Sequence, residues 1–138
     1  MRTLHVGLRV TDRERSVAFY EAVGYEVVGS VPETGIGHLT MLELPGDDFV
    51  TVELVHDPTA GPVELGTGLS HLVVQVESLD DTIARLARSG IEAEEPASPD
   101  DSDDFRTTWI TDPDGRRIEL VQWPAGHADG MTAADFPN

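Results

Sequence analysis

Residues 4–27 read LHVGLRVTDRERSVAFYEAVGYEV, and residues 70–93 read SHLVVQVESLDDTIARLARSGIEA. Displaced by 66 positions, the first stretch lies over the second: His5 falls on His71, Val10 on Val76, Val17 on Ile83, Tyr20 on Leu86, Gly24 on Gly90 and Glu26 on Glu92. The same displacement carries Glu53, in TVELV, onto Glu119, in RIELV, so each half holds one His and, 48 residues later, one Glu. Self-similarity at a fixed spacing is the mark of one supersecondary unit used twice.

Each copy opens with period-two alternation, Leu4, Val6, Leu8 and Val10 against His5, Gly7 and Arg9, which predicts a strand. Helices are predicted next. Thr11-Asp12-Arg13-Glu14 and Ser78-Leu79-Asp80-Asp81 have capping-box spacing, and Gly24 and Gly90 stand where a helix C-terminus favours positive φ. Three short strand-like segments follow in each half, near 25–30, 38–44 and 49–56, then near 91–95, 106–111 and 116–123. The expectation is an α+β fold of two βαβββ modules forming a cupped mixed sheet. The first module covers 1–57, a Pro/Gly-rich linker 58–69, the second module 70–123 and a C-terminal tail 124–138, with 1–123 as one domain.

Side chains at i and i+2 share a strand face. If Leu4 and Val6 bury against a helix, His5 points the other way; the same parity sets His71, Glu53 and Glu119 away from their apolar neighbours. Two imidazoles and two carboxylates make a nitrogen/oxygen donor set suited to Zn, Ni, Co or Fe. His38, in a Gly-rich turn region, His56 and His127 have no counterpart at the repeat distance and are expected at the surface. Arg9 shares the face of His5 and is suited either to a substrate carboxylate or to an ordinary ion pair. The acidic run Asp100, Asp101, Asp103 and Asp104 reads as a solvated loop.

Composition narrows the partners. The 138 residues carry 9 basic and 26 acidic side chains, a formal net charge of −17, and no cysteine. Such a surface repels phosphate backbones and anionic lipid, which speaks against nucleic acid or membrane as partner. Any metal must be held by His, Asp or Glu. No apolar run approaches a membrane span and residues 1–10 hold no signal-type segment, so a cytoplasmic location is expected.

Together LHVGLRVTDRERSVAFY, TVELVHDP, ELGTGLSHLVVQVESLDD and TDPDGRRIELV resemble the vicinal oxygen chelate superfamily, and within it the short bacterial glyoxalase I (lactoylglutathione lyase) family, over residues 1 to about 123. The resemblance implies a homodimer with shared active sites, in which His5 and Glu53 of one subunit and His71 and Glu119 of its partner hold a divalent metal (Ni or Zn first, with Co, Mn or Fe as further options). It implies detoxification of methylglyoxal: the hemithioacetal of a 2-oxoaldehyde is turned into a 2-hydroxyacyl thioester through an enediolate, with Glu119 as main base and Glu53 opposite. Arg9 matches a glutathione-binding position. Asp57, in ELVHD, replaces a family Asn, and an ionised acid there repels a glutathione carboxylate; a site this acidic suits a different thiol, such as uncharged mycothiol, or a non-thiol substrate. The superfamily also implies alternatives: an epimerase, a dioxygenase, or a non-catalytic ligand- or antibiotic-binding protein.

Overall fold

The computed structural model describes residues 1–136; positions 137 and 138 of the expected tail lie outside the described residues. The chain divides into two compact units, Met1–Leu69 with Asp112–Gly115, and Ser70–Thr111 with Arg116–Asn138.

In the first unit β1 (Val6–Arg9) is followed by α1 (Arg13–Val23), β2 (Glu26–Val31), β3 (His38–Glu43) and β4 (Val52–His56). The four strands form one mixed sheet in the order β1-β4-β3-β2, with β1 parallel to β4 and the other pairs antiparallel. Alternation holds where the helix gives cover: Leu8, Val10, Thr40, Leu42, Val52 and Leu54 are buried on one face, with Tyr20 and Val23 of α1. It fails at the outer end of β1. Leu4 and Val6, expected in the core, are 56% and 39% exposed, because β1 is an edge strand and α1 packs against β2 and β4.

The cap of α1 also departs from the expected box. Asp12, not Thr11, is the N-cap and accepts from Arg15 N, while the Thr11 hydroxyl accepts from Val63 N at 2.9 Å. A carboxylate at this position satisfies a free N–H and meets the positive end of the helix. Gly24 closes the helix at φ 132°, with its N–H on the carbonyls of Tyr20 and Glu21. The turn 112–115 belongs with this unit: Tyr20 donates to Asp112 Oδ2 at 2.8 Å, and Arg15 donates to the Pro113 carbonyl at 2.8 Å.

The second unit contains β5 (His71–Gln75), α2 (Leu79–Arg88), β6 (Arg106–Thr111) and β7 (Arg117–Gln122), the strands in the order β5-β7-β6. Ser78 caps α2 as its spacing predicts. Leu79, Leu86, Ile110, Ile118 and Leu120 form the core. The strand expected over 91–95 does not form. The chain there reaches β6 only through Glu94 N to Trp109 O and a mutual pair between Ala97 and Thr107. Pro96 and Pro99 have no N–H to offer a ladder, and Glu92, Glu94 and Glu95 crowd like charge along the segment. The α+β architecture thus consists of two helices and two mixed sheets, of four and three strands.

Residues 124–136, read as a featureless tail, are tied down. Trp123 is stacked between Phe105 and His127, with ring centroids 5.3 and 4.5 Å away. Beyond it a short 3-10 turn, Ala133–Asp135, is closed by a capping box between Thr132 and Asp135. His127 Nε2 meets Asp135 Oδ1 at 2.8 Å.

Candidate metal and substrate site

Glu53 lies in β4 between buried Val52 and Leu54, and parity turns it to the face opposite α1. His5 precedes β1 by one residue and reaches the same face, where its Nε2 stands 3.8 Å from Glu53 Oε1. Between them is Gly7, paired in register with Glu53; a Cβ there would come within 3.3 Å of Glu53 Oε2. The missing side chain leaves the carboxylate room beside the imidazole.

The second unit repeats the arrangement. Glu119 stands between buried Ile118 and Leu120, and His71 Nε2 is 3.8 Å from Glu119 Oε2. Ser70 Oγ lies 2.9 Å from His71 Nδ1. Where the hydroxyl accepts from Nδ1–H, Nε2 is left as the ligating nitrogen; where it donates, Nε2 carries the proton that faces Glu119. Each pair is partly exposed, as a ligand site must be.

The structure therefore brings the four expected residues together in pairs, His5 with Glu53 and His71 with Glu119. Among the described residues no group of three or more His, Asp or Glu is placed to hold a metal ion. The donor chemistry of each pair fits one: two donors about 2.1 Å from a common ion stand at most about 4.2 Å apart, and both pairs meet that bound.

Asp57 does not aim at a ligand. Its Oδ1 accepts from the Thr59 hydroxyl at 2.8 Å and from Thr59 N at 2.9 Å, closing a turn after β4. These hydrogen bonds, with the charge of Arg9 nearby, hold its carboxyl below the ordinary range. Arg9 lies on the face of His5, paired in register with Val55. Its counterpart Gln75 is neutral and engages the tail, donating to Asp129 Oδ1 at 2.6 Å and accepting from Gly130 N at 3.1 Å.

Two residues beside Glu119 escaped the sequence reading. Trp109 is its register partner in β6 and sets its ring edge-on to His71, centroids 5.0 Å apart. The Arg117 guanidinium lies over Trp109 at 4.5 Å, its Nη2 2.6 Å from Glu94 Oε2. Period two marks Trp109 as facing with Glu119 only once β6 and β7 are known to pair. His38 also departs from expectation: it opens β3, opposite His56, and its Nδ1 is buried with no hydrogen-bond partner.

The Glyoxalase/Bleomycin resistance protein/Dioxygenase superfamily matches residues 2–120. The chain belongs to this superfamily. Among curated members it is 31% identical over 132 residues to a lactoylglutathione lyase of Neisseria meningitidis serogroup A, covering 91% of this chain and 94% of the relative. Among solved members it resembles the trypanothione-dependent glyoxalase I of Leishmania major, with 25% identity, a TM-score of 0.71, and coverage of 88% and 86%. It is also similar to TnmS3, an antibiotic-binding protein from Streptomyces sp. CB03234, at 26% identity and TM-score 0.66, covering 88% of this chain and 96% of that one. The superfamily thus contains both enzymes and binding proteins, and the side chains on the two faces have to decide between them.

Proposed function

We propose that this protein is a metal-dependent isomerase of the glyoxalase I type, acting on the hemithioacetal of a 2-oxoaldehyde and a thiol. One observation carries the reading: the same His–Glu pair, at the same 3.8 Å separation, occurs at repeat-related positions of both units. The 31% identity to a lactoylglutathione lyase supports it. The pairs His5–Glu53 and His71–Glu119 would hold one divalent ion, Ni or Zn first by the nature of the donors, each pair contributed by a different subunit of a homodimer. Val73, paired in register with Glu119 and exposed on that face, supplies apolar area that a partner can cover.

When bound, the ion supplies stabilisation for the negative charge that develops on the two neighbouring substrate oxygens. Glu119 takes the proton from one carbon and returns it to the next, yielding the 2-hydroxyacyl thioester. Glu53 faces it as the second carboxylate. Trp109, edge-on to His71, walls that side of the reacting carbons from water. Arg9, on the face of His5, is the cation of this unit suited to a substrate carboxylate.

The test is turnover. Protein loaded with Ni or Zn is given methylglyoxal and a thiol, and thioester formation is followed by absorbance; chelation should abolish it. Absence of product with every metal and thiol overturns the reading. The likeness to TnmS3 favours a second one, capture of an organic ligand without chemistry. A protein of that kind purifies without stoichiometric metal and binds its ligand equally well in chelator. The shared arrangement predicts that mixed His5→Ala and Glu119→Ala subunits regain activity, because each mixed dimer keeps one intact site of two, about a quarter of wild type at equal mixing.

A further inference from the structure

The face that bears His71 and Glu119 is closed at one end by the C-terminal segment. Along β5 that face carries His71, Val73 and Gln75, and along β7 Arg117, Glu119 and Val121, with Val73 opposite Glu119 and Gln75 opposite Val121. Gln122 turns to the other side, where its Oε1 accepts from Leu79 N of α2 at 2.8 Å. Trp123, next in the chain, therefore returns to the face of Glu119. There it stacks on Phe105, which precedes β6, and on His127. The segment is held at both ends of this crossing. Ala125 N donates to Asp104 Oδ2 at 3.3 Å, and at β5 Gln75 donates to Asp129 Oδ1 at 2.6 Å and accepts from Gly130 N at 3.1 Å. Phe105, Trp123, His127, Asp129 and Gln75 thus form a row from the β6 side of the sheet to β5.

We propose that the segment from Trp123 to Gly130 is the end wall of the substrate site, that Gln75 is the positioning residue holding it there, and that it restricts the group carried by the 2-oxoaldehyde to a small alkyl. The inference rests on the glyoxalase-type reading and narrows its substrate class. The carbons between which Glu119 moves the proton belong to the oxoaldehyde, so the group attached to them lies over this face. Same-face rows of a strand are about 6.6 Å apart, and Gln75 stands one row beyond Glu119. A methyl group needs about 5 Å between the reacting carbon and the first wall atom, one C–C bond plus a van der Waals contact. A phenyl ring pointing the same way needs about 8 Å. The wall admits the first and turns away the second. Its grip belongs to the second unit, because the repeat-related residue, Arg9, has no acceptor for a backbone N–H.

Two measurements read the wall, one through turnover and one without it. The first is kcat/KM of metal-loaded protein for methylglyoxal against phenylglyoxal, each with 2-mercaptoethanol. The second is fluorescence titration of the metal-free protein with N-phenyl-1-naphthylamine, a neutral aryl probe. Wild type should favour methylglyoxal by at least about tenfold. Gln75→Ala removes both hydrogen bonds to the segment, which raises the share of protein with the wall open by about tenfold. It should raise kcat/KM for phenylglyoxal and tighten probe binding by about that factor, a gain that loss of stability does not produce. Gln75→Glu combined with Asp129→Asn keeps both hydrogen bonds, with the amide moved across the pair, and should restore the wild-type preference. Equal use of the two aldehydes by wild type overturns the proposal and leaves the isomerase reading intact, as does a preference that Gln75→Ala leaves unchanged. Failure of the double variant to restore it overturns the assignment of Gln75. Where neither aldehyde turns over, the isomerase reading falls and the probe decides: tighter binding to Gln75→Ala sustains the wall, and equal binding overturns it.

Discussion

Gly7 and Glu53 stand opposite each other across the parallel pair β1–β4, and a Cβ on Gly7 would sit 3.3 Å from the Glu53 carboxylate. The counterpart of this pair is Val73 with Glu119, where a full isopropyl group is present and 52% exposed. One carboxylate is thus given space and the other is flanked. Gly7→Ala asks Glu53 to shift by a few tenths of an ångström, which its flexible end allows at little cost to folding. Metal affinity is expected to fall about tenfold while the melting temperature in chelator stays level. Competition with a chromophoric chelator reads the first quantity and calorimetry the second; an unchanged affinity removes Glu53 from the ligand set.

Glu119→Gln separates chemistry from folding. The side chain faces away from the core that its neighbours Ile118 and Leu120 fill. Loss of the proton carrier should reduce turnover by about a hundredfold to ten-thousandfold, with thermal unfolding of the metal-free protein unaltered. Ile118→Ala should do the reverse, costing about 2–5 kcal/mol of stability through the cavity it leaves. Parallel loss of activity and stability in Glu119→Gln would make it a structural residue.

The four pair residues were legible in the sequence because two independent regularities meet on them, the 66-residue repeat and the period-two strand face. Parity alone locates a side chain above or below a sheet. It does not say which strand lies alongside, so Trp109 beside Glu119 and Arg117 beside Glu94 had no signature in the chain. The same ignorance of neighbours misplaced Leu4 and Val6, whose apolar pattern is sound but whose edge position lacks a covering helix. At 91–95 the strand-like residues were outweighed by the prolines that follow. The tail held no periodic signal at all, since its order comes from one stacked indole and two side-chain clamps and not from a repeating face.

Tyr20 tests the packing of the first unit. Its hydroxyl donates to Asp112 Oδ2 at 2.8 Å within the core, and Asp112 is 4% exposed. Asp112 Oδ1 accepts in turn from Asp114 N, shaping the turn that leads from β6 to β7. Tyr20→Phe keeps the ring contacts with Phe19 and Tyr25 and removes one donor from a buried carboxylate. The expected cost is about 1–3 kcal/mol, seen as a melting temperature lower by roughly 3–10 °C, with metal affinity unchanged.

His127 gives the tail a dependence on pH. Its Nδ1 faces the Ala128 carbonyl at 2.6 Å, its Nε2 faces Asp135, and its ring stacks on Trp123. The carbonyl first and the carboxylate second favour the imidazolium, raising the pKa above its ordinary 6.5. A group whose folded pKa is raised stabilises fully below its unfolded pKa and ceases to do so as pH rises through the folded value. The tail should therefore be held most firmly in mildly acidic solution and loosen above neutrality. Titration of the His127 ring protons by NMR is expected to give a midpoint above 6.5, which Asp135→Asn lowers without returning it fully, since the Ala128 carbonyl is untouched. Proteolysis of the segment after Trp123 should be slower near about pH 6 than near about pH 8, and the difference should vanish in His127→Phe, which keeps a ring on Trp123 and cannot titrate.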